Sequence, residues 1–206
     1  MVTSWPVSKG KALDLSFATR DDIEAVRSWR IPRHEAHDPM VRDAVDFAHL
    51  AVKRWREAAS DGAIATSLAQ LRRKITDHDE GEVYLLLVAR AAWLRKARTV
   101  GVSLLRRTWC NNICLHFLAR RPERPSDRGE GVRGAGTALL YGVLYVAAEI
   151  DARSIWGEAT QNSDKYYADL LARQPLETDL LSLAAEEYRT LKAHLEKKAE
   201  TRRDTG

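Results

Sequence analysis

The chain has 206 residues, of which 45% are apolar and 30% charged, and its formal net charge is +4. That composition excludes a disordered, collagen-like or membrane-embedded chain and fits one globular domain, residues 1–206, with a core that needs no disulfide or metal staple. The small positive excess suits an anionic ligand but does not by itself point to nucleic acid.

Residues Met1 to Gly10 carry Trp5, Pro6 and Lys9 without the apolar segment of a secretory signal, so they read as a loose lead-in to a cytoplasmic protein. Leu13 to Phe17 alternates apolar and polar, as a strand does. Thr19 caps a helix with Asp21, Asp22 and Glu24 in its first turn, running to about Trp29 and stopping before Pro32. A second helix begins near Pro39, with Val41, Val45, Ala48, Val52 and Trp55 on one face for a core. Ala63 to Ile75 reads as a shorter helix, and Asp77 to Gly81 as a solvated acidic turn rather than a metal site.

The period then changes. Glu82 to Ala89, Val100 to Leu105 and Ile113 to Ala119 read as strands, with Ala91 to Arg98 as an exposed connection. In the third run Ile113, Leu115, Phe117 and Ala119 share one face and Cys114, His116 and Leu118 the other. Both faces are largely apolar, so this strand is expected at the centre of a sheet. The only two cysteines, Cys110 and Cys114, flank Asn111-Asn112, which reads as a two-residue hairpin turn. That register sets the sulfurs on opposite faces and predicts no disulfide. The pattern is no zinc motif, and a reducing compartment fits.

Leu139, Leu140, Val143, Leu144, Ala147 and Ile150 give a broad apolar helix face, and the longest near-apolar run, Gly134 to Ala148, is too short to span a bilayer. Ser154 to Ala159 is a further strand, Asn162 to Arg173 a helix ended by Pro175, and Leu180 to Leu183 a short strand. Ala184 to Lys198 is a last amphipathic helix with Ala184, Tyr188, Leu191 and Leu195 on its stripe, followed by a frayed charged tail, Glu200 to Gly206.

The stretch from Gly131 through Arg133, Gly134, Ala135, Gly136 and Thr137 to Ala138 follows a strand and opens an apolar helix. Glycines allow close approach of the main chain to a ligand, and the first turn of a helix offers unpaired N–H groups and a positive dipole end, so the pair reads as a phosphate socket. No Lys-Ser or Lys-Thr follows, which excludes a P-loop, and the glycine spacing and position in the chain do not match a dinucleotide fold.

This segment resembles the cofactor motif of the GNAT family of N-acetyltransferases, which reads Gln or Arg, two residues, Gly, one residue, then Gly or Ala. Leu115 to Pro122 is similar to the family's central strand with its following Pro, and Glu130 to Thr137 is similar to its histone-type branch. Asn162 to Tyr167 resembles the family's late Asn-to-Tyr motif, and Leu13 to Val26 its opening strand and helix. Gly131 stands where the family has Gln or Arg, and the loop Glu123 to Glu130 is longer.

The resemblance implies a mixed α/β (α+β), mostly antiparallel central sheet flanked by helices, with residues 33–79 as a helical insertion and 184–206 as a C-terminal helix and tail. It implies acetyl transfer from acetyl-CoA to an amine, on a small molecule or a protein. The pantetheine arm would pair with Phe117, Leu118 and Ala119. The diphosphate would sit on Arg133, Gly134, Ala135, Gly136, Thr137 and Ala138, with Asn162 beside it as the helix cap. Tyr167 stands at the family's acid for the departing thiolate. His116 and Glu158 are the candidate bases, and water is the alternative to both. A catalytically silent acyl-CoA-binding or interaction module is the second reading, because Gly131 and Cys114 replace expected polar residues. An enzyme acting on charged RNA is a third, although the six dispersed tryptophans argue against nucleic acid. No metal and no membrane are expected, and a homodimer is left open.

Overall fold

Seven strands lie in one sheet in the order of the chain. They are β1 (Val2–Ser8), β2 (Lys11–Phe17), β3 (Val83–Ala91), β4 (Thr99–Arg107), β5 (Ile113–Arg120), β6 (Ser154–Glu158) and β7 (Leu180–Ala184). The computed structural model describes residues 2–8, 10–77, 81–95, 98–122, 132–171 and 179–204. Only the β5–β6 pair is parallel; the others are antiparallel. The sheet is thus mixed and mostly antiparallel, as expected. The parallel pair needs a crossover, and helix α4 (Ala135–Glu149) lies within it.

Helices α1 (Arg20–Arg27), α2 (Pro39–Ser60) and α3 (Leu68–Thr76) separate β2 from β3, while α5 (Asp164–Leu171) precedes β7 and α6 (Ala185–Asp204) follows it. The sheet is covered on both faces. Strand β3 shows why: Leu85, Leu87 and Ala89 join α4 and α6 in one core, while Leu86 and Val88 join α1 and α2 in a second. A strand buried on both sides needs near-continuous apolar residues, and each fully buried Leu adds about 1.5–3 kcal/mol.

Local rules set the helix ends. The Thr19 hydroxyl accepts from the Asp22 N–H, and the Asp22 carboxylate accepts from the Thr19 N–H at 2.8 Å, a reciprocal cap on α1. That carboxylate is buried. It also accepts from Arg90 Nε at 2.7 Å and the Thr99 hydroxyl at 2.8 Å, tying α1 to β3 and β4. Asp38 caps α2, with Pro39 at its first position. Val41, Val45, Ala48 and Val52 are buried as the stripe predicts, and α2 lies across β3, β4 and β5.

Several expectations are corrected. The lead-in is an edge strand, β1, where Pro6 is tolerated because an edge needs fewer donors. Helix α3 starts later than Ala63; Ser67 caps it, and Ile64 bridges to Tyr84. The connection after β3 is not wholly exposed, since Ala91 and Leu94 are buried. The β4–β5 turn is longer than two residues: Thr108 and Asn112 pair, and Asn111 takes a φ of 60°. Ala184 ends β7 rather than opening the helical stripe, and α6 extends through the charged tail to Asp204. His78–Glu80, the loop Glu123–Gly131, and Arg173 with Pro175 lie outside the described residues. No described helix is long and apolar enough to cross a membrane.

Candidate functional site

The site begins where β5 loses a neighbour. β6 pairs with β5 only from Ile113 to Leu115. Gly157 makes that approach possible, because a Cβ there would stand 2.7 Å from the Leu115 carbonyl oxygen. Beyond it β5 runs on to Arg120 with no strand on its β6 side among the described residues. Its main-chain groups there are available to an extended ligand.

A bulge at His116 coincides with this opening. The β4 register passes from Leu105 opposite Leu115 to Leu104 opposite Phe117, leaving His116 without a partner. The extra residue reverses the alternation. Ile113 and Leu115 pack in the α4 core, whereas Phe117 and Ala119 pack against α2 and Leu118 turns to α4. The expected single face of Ile113, Leu115, Phe117 and Ala119 is therefore broken at its middle.

Helix α4 points its first turn at the same opening. Gly134 is its N-cap with φ 80° and ψ 9°, a left-handed conformation that a side chain resists. The N–H groups of Ala135, Gly136 and Thr137 meet no acceptor among the described residues. Ala138 is different: its N–H donates to the Gly134 carbonyl at 2.9 Å, and its side chain is buried. The expectation that Ala138 offers its amide is therefore corrected, because the helical ladder already holds that hydrogen.

A cavity of about 410 Å³ joins the two features. Leu118, Ala119, Arg120 and Pro122 form one wall, Val132 to Thr137 a second, Thr160, Asn162, Ser163, Tyr166 and Tyr167 a third, and Met40, Val41, Ala44 and Phe47 of α2 the fourth. Arg120 and Arg133 are exposed at its rim. The wall from α2 is what sequence reasoning missed. Met40, Ala44 and Phe47 form a second apolar row beside the core stripe, a wider arc than sheet packing needs, and that width was the available signal.

Tyr166 and Tyr167 meet edge to face with centroids 5.2 Å apart. The Tyr166 hydroxyl donates to Thr137 Oγ1 at 3.5 Å, placing α5 over the first turn of α4. Burial, reinforced by the neighbouring Tyr166, pushes the Tyr167 hydroxyl well above its ordinary range, so it keeps its proton at neutral pH. Asn162 is not the helix cap. Its amide donates to Asp43 Oδ2 of α2 at 2.7 Å, while Ser163 occupies the turn that starts α5.

The two candidate bases do not line the cavity. His116 stacks on Tyr84 at 5.9 Å, and its Nδ1 lies 3.4 Å from Arg54 Nη1. Because Arg only donates, Nδ1 is the acceptor and Nε2 carries the proton; that Nε2 is buried without a partner among the described residues. Burial first, then the charges of Arg106 and Arg54, lower its pKa to about 4. Glu158 is exposed at the end of β6. Cys114 is buried, and burial pushes its thiol up. Among the described residues no group of His, Cys, Asp and Glu is arranged to hold a metal.

No protein-family model matches the chain, and no curated protein does. Solved structures similar to it include acetyltransferases. AtaTR bound with acetyl-CoA is 15% identical over 87% of this chain and 97% of its own, with a TM-score of 0.48. A GNAT acetyltransferase from Staphylococcus aureus Mu50 is 14% identical over 76% of this chain and 80% of its own, with a TM-score of 0.41. Nourseothricin acetyltransferase is 19% identical over 42% of this chain, with a TM-score of 0.32, and the match spans 48% of its length.

Proposed function

We propose that this chain is an N-acetyltransferase that moves the acetyl group of acetyl-CoA to an amine, within a single domain and in a reducing cytoplasm. One observation carries the reading. A single cavity holds both the unpaired edge of β5 and the uncapped first turn of α4. A ligand that fits both has an extended, amide-bearing arm and an anionic end, as CoA has.

In this reading the N–H groups of Ala135, Gly136 and Thr137 hold the diphosphate, and Gly134 bends the chain so that they converge. Charge at a helix N-terminus gains about 0.3–2 kcal/mol, and Arg133 and Arg120 at the rim add to it. The arm runs along Phe117, Leu118 and Ala119 as an added strand. Asn162 joins the α5 and α2 walls through Asp43 rather than touching phosphate.

The amine nitrogen attacks the thioester carbonyl carbon. A C–N bond forms, the C–S bond breaks, and the sulfur leaves as a thiolate. Tyr167 gives that thiolate a proton, a role that its protonated hydroxyl in the cavity wall supports. The proton shed by the amine leaves to water, and water returns one to Tyr167. We assign no step to His116, whose Nδ1 faces a guanidinium and whose lowered pKa makes its neutral ring a weak proton acceptor, nor to Glu158, which stands outside the cavity lining.

Calorimetry with acetyl-CoA, followed by release of free thiol in the presence of a panel of amines, tests the reading. Saturable binding and amine-dependent thiol release are expected. Binding without release from any amine would favour the silent module, and absence of binding would end the reading.

A further inference from the structure

Helix α2 belongs to residues 33–79, the insertion whose purpose the sequence does not disclose. Its direction along β5 can be read from contacts. Near its start Asp43 meets Asn162, in its middle Phe47 stacks on Phe117 with centroids 5.6 Å apart, and further on Arg54 meets His116 at the bulge. The cavity lining stops at Phe47 on the helix and at Leu118 on the strand. The Phe47–Phe117 stack therefore stands where the lining of helix and strand ends. The stack is held from behind, since the Arg54 guanidinium lies over the Phe117 ring at 5.1 Å and Tyr84 stacks on His116.

We infer that Phe47 fixes the length of the acyl group this protein accepts, the Phe47–Phe117 stack being the floor against which the acyl chain ends. The inference rests on the reading that the pantetheine arm follows β5. An arm anchored by its diphosphate at Ala135–Thr137 delivers its thioester at the bulge end, beside this floor. Both rings are packed together, so a longer chain meets ring carbons rather than space. Replacing Phe47 by a small residue opens apolar volume between Ala44 and Phe117. Each methylene buried in such surroundings improves binding about fourfold.

The test measures the affinities of acetyl-CoA, butyryl-CoA and hexanoyl-CoA for the full-length chain, for Phe47→Ala and for the milder Phe47→Leu, with the ratio taken within each protein. The wild type is expected to bind acetyl-CoA more tightly than hexanoyl-CoA. Phe47→Ala should shift the ratio toward hexanoyl-CoA by at least about tenfold, and Phe47→Leu should shift it less in the same direction. If Phe47→Ala does not fold, the direction in Phe47→Leu decides. A ratio unchanged in the folded variants, or a wild type that prefers hexanoyl-CoA, overturns the inference while leaving acetyl-CoA binding intact. Failure of the wild type to bind any of the three overturns the underlying reading instead, and this inference with it.

Discussion

Replacing Gly134 by Asn and, separately, by Asp isolates the charge of the proposed anion socket from its shape. Gly134 has φ 80°, and a Cβ there would find Val7 Cγ1 at 3.7 Å as its nearest neighbour, so space is not the obstacle. The backbone is: a left-handed residue costs about 1–2 kcal/mol for most side chains, and less for Asn and Asp, which tolerate that region. The two replacements have the same shape, so strain cancels between them. What remains is one negative charge. At about 6 Å from a phosphate and an effective dielectric of about 20, the repulsion is about 3 kcal/mol. Salt screening reduces this to about 1–2 kcal/mol, or a five- to thirtyfold difference in Kd for CoA. Calorimetry of both variants with CoA at low and high salt measures that difference. The ratio should shrink as salt rises, and it should vanish with pantetheine, which has no phosphate. Equal CoA affinity in the Asn and Asp variants at low salt would refute the socket.

Tyr167→Phe should lower turnover by about a hundredfold, the low end for loss of a general acid, with the Kd for acetyl-CoA unaltered; steady-state rates and calorimetry separate the two, and undiminished turnover would remove Tyr167 from the chemistry. Asp22→Asn should cost about 3 kcal/mol in urea unfolding near neutral pH, because it leaves Arg90 without its buried partner. Burial alone would raise the Asp22 pKa, but its donors (Arg90, Thr19 and Thr99) bring it from an ordinary 3.8 to about 2. The folded value lies below the unfolded one, so the charge-dependent share of stability, about 2 kcal/mol, is complete above pH 3.8 and is lost as pH falls toward 2. A gap between wild type and variant that stays constant through that acid range would contradict the network.

What the sequence disclosed and what it hid follow one division. Features set by neighbours along the chain were legible: the Thr19 cap, the α2 stripe and the glycine turn into α4. Features set by pairing across the sheet were not. The bulge at His116 arises from the register with β4, so an uninterrupted alternation was the natural reading, and it put Phe117 and Ala119 on the wrong face. β1 was hidden by Pro6, whose place on an edge only the assembled sheet explains. Asn162 looked like a cap because it precedes a helix, yet its amide reaches a residue of α2 far away in the chain. For the same reason His116 is an attractive base on its residue type alone, and the charges of Arg106 and Arg54 around it make it a poor one.

A crystal structure of the chain with CoA tests the central claim most directly. The diphosphate should accept hydrogen bonds from the N–H groups of Ala135, Gly136 and Thr137, with the pantetheine amides paired to β5 between His116 and Arg120. CoA bound on another surface, or seated in the cavity with its diphosphate away from the first turn of α4, would contradict the account.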